Sequence, residues 1–175
     1  KESLENLLGS FTIFLDKPFQ VGDIITLGST TGLVEKVGFR STRLRTFDKS
    51  IVTVPNKNLV NAELDNLGLR PVRRVKTNIG LIYSTPIEQI KNIVNDIQEL
   101  IDDHKQTTQD GKVRFLNFGD SSLDVMVLYF VNSPDWNILV DTQQEINFKI
   151  IEIVKKHQSD FAYPTTSVFL ENQKS

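Results

Sequence analysis

Cysteine is absent from this 175-residue chain, which excludes disulfides and thiolate metal sites, and with them a bridged secreted scaffold. Long apolar runs are absent too: no stretch reaches the roughly 20 consecutive apolar residues that a membrane-spanning helix needs. An excess of one charge is also missing, since 20 Lys and Arg stand against 22 Asp and Glu for a net charge of -2. That balance argues against a general nucleic-acid binder. Enzymatic groupings are lacking as well. Gly28-x-x-x-Gly32 does not end in the Gly-Lys-Ser/Thr of a phosphate loop, and Ser121-Ser122 has no base at an interpretable spacing. Asp102-Asp103 and Asp120 with Asp124 fit a solvated helix end and a turn as well as acid/base work. The two histidines, His104 and His157, stand at the ends of expected helices beside charged residues, where a histidine commonly does no more than favour the helix dipole. The chain is expected to be no enzyme and to hold no cofactor.

What is present is ordinary globular material, 39% hydrophobic and 24% charged, long enough for two small cores. Residues 1–76 hold 12 Lys/Arg against 8 Asp/Glu and residues 77–175 hold 8 against 14, so the halves carry opposite charge, consistent with two domains. Residues 16–61 read as a small all-β unit. Short runs at 23–27, 32–39, 41–47 and 50–55 alternate with turn chemistry at Gly28 to Gly32 and at Asp48-Lys49. Gly38, inside the second run, suggests a bend or bulge of the kind that curls a sheet into a barrel. Before this unit, Leu4, Leu7, Leu8, Phe11, Ile13, Phe14 and Leu15 recur at helical spacing until Asp16-Lys17-Pro18 closes the run. Such a helix reaches about 22 Å, too short to cross a bilayer. It is either a core helix of the β unit or the end of a longer membrane helix. Gly9-Ser10 is the place where it would bend at little cost.

The pattern changes class after Gly68-Leu69-Arg70-Pro71. Val75, Thr77, Ile79 and Leu81 alternate as in a strand. Thr85-Pro86-Ile87-Glu88 has the form of a capping box and opens an amphipathic helix running to Asp102-Asp103-His104. Strands are expected at 112–118 and 123–131, a second helix at about 136–157, and a last strand at 165–170. The order predicts a ferredoxin-like split βαβ unit with two helices on one face of an antiparallel sheet.

Several short runs carry a resemblance. Lys17-Pro18-Phe19, Val21-Gly22-Asp23, Gly32-x-Val34, Thr42-x-Leu44-Arg45-Thr46 and Val54-Pro55-Asn56 resemble, in order and spacing, the Sm-like β-domain of the small-conductance mechanosensitive channel (MscS-type) family. Arg70-Pro71-Val72-Arg73-Arg74 is similar to that family's junction with its next domain, and Phe161-Ala162-Tyr163-Pro164 to its carboxy-terminal Phe-Pro-Tyr-Pro run. The implied organisation is the end of a pore-lining helix (1–16), an Sm-like β-domain (17–70), an α+β ferredoxin-like domain (71–163) and a carboxy-terminal strand (164–175). That strand would either pair within its own sheet or join six copies of itself in a parallel barrel.

The resemblance implies the cytosolic vestibule of a channel that opens under membrane tension and releases ions and small osmolytes during hypo-osmotic shock. It implies a homoheptamer in the bacterial inner membrane, attached to the bilayer by transmembrane helices upstream of Lys1, with this region cytoplasmic. Coupling between helix and cage would fall on Asn6, Leu8, Phe11, Lys17, Pro18, Phe19, Gly22, Asp23, Asn56 and Lys57. Pro71, Arg73 and Arg74 would form the domain junction, and Gly32, Val34, Arg45, Pro55, Tyr163 and Pro164 would be structural. Lys57 stands where a family glycine often sits, and Asn6 matches a family asparagine facing that turn. The competing reading is a soluble Sm-like module for RNA or protein, given Lys36, Arg40, Arg43, Arg45, Lys49 and Lys57; it lacks the interleaved surface aromatics of single-strand binders.

Overall fold

The structure is a computed structural model, described over residues 2–168, and it divides into two compact units at Arg70 and Pro71.

The first unit opens with helix α1 (Glu2–Asp16). Lys17, at φ 48, adopts a left-handed turn and its N–H closes on the Ile13 carbonyl at 3.1 Å; Pro18 then bars continuation. Five antiparallel strands follow: β1 (Ile24–Leu27), β2 (Thr30–Val37), β3 (Ser41–Thr46), β4 (Ile51–Pro55) and β5 (Leu64–Asn66). They are ordered β4-β3-β2-β1-β5, so β4 and β5 are the edges of an open sheet. A short helix α2 (Asn56–Asn61) joins β4 to β5. Alternation sends Ile25, Val34, Leu44 and Val54 to one face, where they meet Ile13 of α1, Phe19 and Leu59 of α2 in a single core.

Three local expectations are corrected. The β1–β2 hairpin turns on Gly28-Ser29 alone, because Leu27 pairs with Thr30 and the next residues up to Gly32 belong to β2. Gly28, at φ 56, supplies the conformation that so short a loop requires. The bulge lies between Val34 and Lys36, not at Gly38; Gly38 instead begins the turn into β3, its N–H donating to the Ser41 carbonyl at 2.9 Å. Finally, residues 56–61, read from sequence as part of an all-β unit, form a helix.

The second unit has strand β6 (Arg73–Leu81), helix α3 (Ile87–Asp103), strands β7 (Lys112–Phe118) and β8 (Leu123–Val131), and helix α4 (Trp136–Lys156). The antiparallel sheet runs β6-β8-β7, the split arrangement expected, with β8 inserted between two strands of like direction. Every second residue of β8, from Leu123 to Val131, is buried. These pack against Ile93, Ile97 and Ile101 of α3 and Leu139, Ile146, Ile150 and Val154 of α4. Asp135 caps α4, accepting from the N–H groups of Asn137 and Ile138. The capping box at α3 does not form. Pro86 takes the cap position without a side-chain bond, while the Thr85 hydroxyl bonds the Ile82 carbonyl (2.7 Å) and the Ser159 hydroxyl (2.8 Å).

After α4, Phe161 pairs with Leu81 through one antiparallel bridge, and the Ala162 N–H donates to the Gly80 carbonyl at 2.8 Å. One residue pair thus occupies the fourth-strand position of the sheet. The strand expected over 165–170 is not formed by residues 165–168; Phe169 and Leu170 lie outside the described residues.

Candidate functional site

The densest polar construction of the first unit lies where α1 meets α2. Gly9 faces the chain at the start of α2 so closely that a Cβ there would stand 3.0 Å from the Asn56 carbonyl carbon and 3.1 Å from the Lys57 nitrogen. The glycine serves close approach rather than a bend, and α1 runs unbroken through it. One turn earlier, Asn6 Oδ1 accepts from the Lys57 N–H at 3.1 Å, satisfying a donor left open at the start of α2. Lys57 Nζ lies 3.9 Å from Glu5 of α1.

Asn56 is fully buried and every polar atom of its side chain is used. Its Nδ2 donates to Ser10 Oγ and to the Gly38 carbonyl, each at 2.8 Å; its Oδ1 accepts from Thr42 Oγ1 at 2.9 Å. Its backbone N–H donates to the Arg40 carbonyl at 3.0 Å. One side chain therefore ties α1, the β2–β3 turn and β3 to the start of α2. Asn6, Asn56 and Lys57, named from sequence, come together here; Gly9, Ser10 and Thr42 belong to the same contact and were not in that set. Their spacing holds no local pattern by which to find them, because the hydrogen-bonded partners lie 14 and 46 residues apart and Gly9 meets a backbone farther still along the chain.

A second set forms the corner between α1 and β1. Asp23 Oδ2 accepts from the Gln20 N–H (2.9 Å) and from Asn66 Nδ2 (3.0 Å), and the same Asn66 nitrogen donates to the Pro18 carbonyl at 3.0 Å. Gly22 has φ 100, which favours glycine, and Phe19 is buried in the core. Pro18, Phe19, Gly22 and Asp23 are thus one braced turn, with Lys17 at its head. Leu8 and Phe11 do not join either set. With Leu4, Phe14 and Leu15 they leave the outer faces of α1 exposed, and Phe11, Phe14, Val21, Val37 and Phe39 line an apolar groove of about 660 Å³.

Elsewhere, Arg45 clamps Glu35 through two bonds of 2.7 and 3.2 Å, which holds the Glu35 carboxyl below the usual range. A Cβ on Gly32 would stand 2.9 Å from the Arg45 carbonyl, so glycine is needed where β2 and β3 approach. Val34 is core, and Pro55 caps α2. In the second unit Arg73 lies over the Trp136 ring at 5.4 Å and donates to the Pro134 carbonyl; Pro71 and Arg74 are exposed. Tyr163 is exposed ahead of Pro164.

The histidines do more than sit at helix ends. His157 Nε2 lies 2.8 Å from Asp96, which Lys156 also bonds at 2.9 Å. His104 Nε2 lies 3.4 Å from Glu145, while its Nδ1 accepts from the Gln106 N–H at 3.2 Å. Each histidine ends one helix and meets a carboxylate of the other. Lys156 and His157 hold the Asp96 carboxyl below its ordinary value, and His104 and Lys149 do the same for Glu145.

The family model described as the mechanosensitive ion channel β-domain matches residues 2–69, and that of the MscS C-terminal domain matches residues 75–161. The chain belongs to the MscS family of mechanosensitive channels. It is similar to an uncharacterized MscS family protein of Aquifex aeolicus (44% identical over 98% of this chain and 47% of that protein). It is also similar to the small-conductance mechanosensitive channel MscMJ of Methanocaldococcus jannaschii (38%, over 98% and 49%) and to the low conductance mechanosensitive channel YnaI of Escherichia coli (33%, over 98% and 51%). The chain spans about half the length of these relatives. Two solved structures share its fold: Arabidopsis thaliana MSL1 (TM-score 0.85, 24% identical, 95% of this chain and 60% of that one) and Helicobacter pylori MscS in a closed state (TM-score 0.79, 23%, 97% and 66%). Membership of a channel family, whose members are not enzymes, sets aside the free-standing Sm-like module for RNA or protein. Among the described residues no helix is long and apolar enough to cross a membrane.

Proposed function

We propose that this chain is the cytoplasmic vestibule of a mechanosensitive channel of the bacterial plasma membrane, opening under tension to release ions and small osmolytes in hypo-osmotic shock. The observation that carries the reading is the construction of α1. It is apolar on faces that nothing in its own unit covers, yet Asn6, Gly9 and Ser10 join it to the β unit. A helix built in this way suits an element that continues upstream into membrane helices and hands their displacement to the cage. Residues 1–16 are then the end of the pore-lining helix. The Asn6–Lys57 and Ser10–Asn56 contacts are the coupling points, and the Pro18 to Asp23 corner is the rigid link to the β-domain.

The sheet edges β4 and β5 offer unpaired backbone groups, which head-to-tail pairing of copies would satisfy in a closed ring; seven is the number the family resemblance supplies. Residues 71–163 form the cage wall around side openings that filter permeating solutes, with Pro71, Arg73 and Arg74 at the junction. Residues 164–175 leave the subunit after Pro164 to join copies of themselves in a parallel barrel on the axis. Nucleic acid has no part in this reading.

The test is survival. The full-length gene, expressed in bacteria stripped of their own mechanosensitive channels, rescues growth after a sudden drop in osmolarity. Leu8→Lys and Phe11→Lys change that rescue, and Asp120→Asn does not. A full-length protein that reaches the membrane and gives neither rescue nor tension-gated current refutes the assignment.

A further inference from the structure

The sheet of the second unit is electrically one-sided. Its three strands hold Arg73, Arg74, Lys76, Lys112 and Arg114 against a single acid, Asp124, whereas α3 holds five acids against Lys91. The two helices cover the apolar face. On the other face the register sets Lys76, Leu128 and Lys112 in one row and Asn78, Met126 and Arg114 in the next, with Arg74 beside Phe130 above them. The four cations are exposed and the three central apolar residues half-buried. Adjacent strands lie about 4.8 Å apart, so the Lys76 and Lys112 backbones flank Leu128 across about 10 Å. Among the described residues Arg74, Lys76 and Lys112 form no ion pair, whereas Arg114 Nη1 already donates to the Val113 carbonyl at 2.6 Å and to Gln98 Oε1 of α3 at 3.4 Å. Like charges gathered on a sheet face without counterions repel, and an anion placed between them relieves that repulsion.

We propose that this face binds a small organic polyphosphate, its phosphates on Lys76 and Lys112 and its flat apolar body over Leu128 and Met126. Size and charge select this occupant. The patch is three strands wide and three rows long, with acids at both ends: Asp124 in β8, held by Ser122 at 2.6 Å, and Asp110 in the turn before β7. A compact polyanion fits between them, whereas an extended one meets repulsion at each end. The apolar row gives a nucleoside polyphosphate an advantage over an inorganic one, because its base covers half-buried Leu128 and Met126. This inference concerns the second unit alone and is independent of gating.

The experiment is calorimetric titration of the purified 175-residue chain, at low salt with chelator, using adenosine triphosphate, tripolyphosphate and a short single-stranded oligonucleotide. Saturable binding of adenosine triphosphate is expected, stronger than that of tripolyphosphate and weakened steeply by added salt. Lys76→Ala combined with Lys112→Ala weakens both phosphates by at least about tenfold, and Lys91→Ala on α3 weakens neither. Met126→Gln brings adenosine triphosphate down to the affinity of tripolyphosphate while leaving the latter unchanged. Absence of saturable binding overturns the proposal, as does binding indifferent to the paired lysine variant. Tighter binding of the oligonucleotide overturns it too, and assigns the face to nucleic acid.

Discussion

The two units solve the same problem with different materials. Among the described residues the second buries fifteen apolar residues in one cluster, and its polar cross-links, His157 to Asp96 and His104 to Glu145, stand at the seam between its helices. The first buries only seven apolar residues and places its most connected polar side chain, Asn56, at the centre of the contact between α1 and the sheet. Apolar packing is non-directional and tolerates shifts, whereas a satisfied buried amide fixes one geometry and is costly when broken. Under the proposed function, a unit that keeps α1 in register has reason to use buried volume for hydrogen bonds, and a cage wall has reason to fill it with hydrocarbon.

The difference is open to test because Trp136 and all three tyrosines lie in the second unit, so intrinsic fluorescence reports that unit alone while hydrogen exchange reports both. The largest effect belongs to the hydrocarbon core. Ile97 is fully buried between α3 and β8, and Ile97→Ala should cost about 2 to 5 kcal/mol. Denaturant melts followed by fluorescence should shift accordingly, with exchange of β2 and β3 amides unmoved. If both units lose protection together, they fold as one and the comparison fails.

Next comes Asn56→Ala, which removes the buried partner of the Thr42 hydroxyl and leaves the Gly38 carbonyl only the longer Ser10 hydroxyl contact of 3.4 Å. Each group so deprived costs about 1 to 3 kcal/mol, so the variant should lose roughly 2 to 4 kcal/mol, confined to the first unit. Unchanged exchange in β3 would show that the network is decorative.

Gly9→Ala sharpens the same point through its sign. Helix propensity alone would stabilise α1 by up to about 1 kcal/mol. The added Cβ would press on the Asn56 and Lys57 backbone at 3.0 to 3.1 Å, and overpacking of this kind typically costs about 1 to 3 kcal/mol. Net destabilisation of the first unit, read by faster exchange of the α2 amides, is expected; net stabilisation would mean that α1 rides loosely on α2.

Much of this was legible before any coordinates. The strands alternate, α3 and α4 carry long apolar stripes, and the split βαβ order follows from their sequence. What escaped was short or non-local. α2 is six residues long with asparagine at three of its positions, and asparagine is a poor helix former, so tertiary packing of Leu59 makes a helix that propensity does not. The capping box at Thr85 reads correctly as a pattern but loses its hydroxyl to Ser159, 74 residues away. The bulge sits at Glu35 rather than at the glycine, where the chain also turns the Glu35 carboxylate to Arg45. Asn6, Asn56 and Lys57 were named through family resemblance; the hydrogen bonds that give them a physical reason span 46 and 51 residues.

The smallest effect belongs to the ionic seam of the second unit. Lys156 and His157 hold the Asp96 carboxyl below its ordinary value. A group depressed in the folded state contributes stability above its unfolded value, about 3.9 for aspartate, and that contribution is lost as pH falls through the folded value. Asp96 is partly exposed, so screening keeps the amount small, roughly 0.5 to 1 kcal/mol at neutral pH. Denaturant melts of the parent chain and of Asp96→Asn, followed by Trp136 fluorescence, should therefore differ by that amount at pH 7 and converge below pH 4. A gap that persists undiminished at pH 3 would assign the loss to packing of the side chain rather than to its charge. No gap at any pH would mean that α3 and α4 are held by their hydrocarbon faces alone, which is the comparison between the two units in its most extreme form.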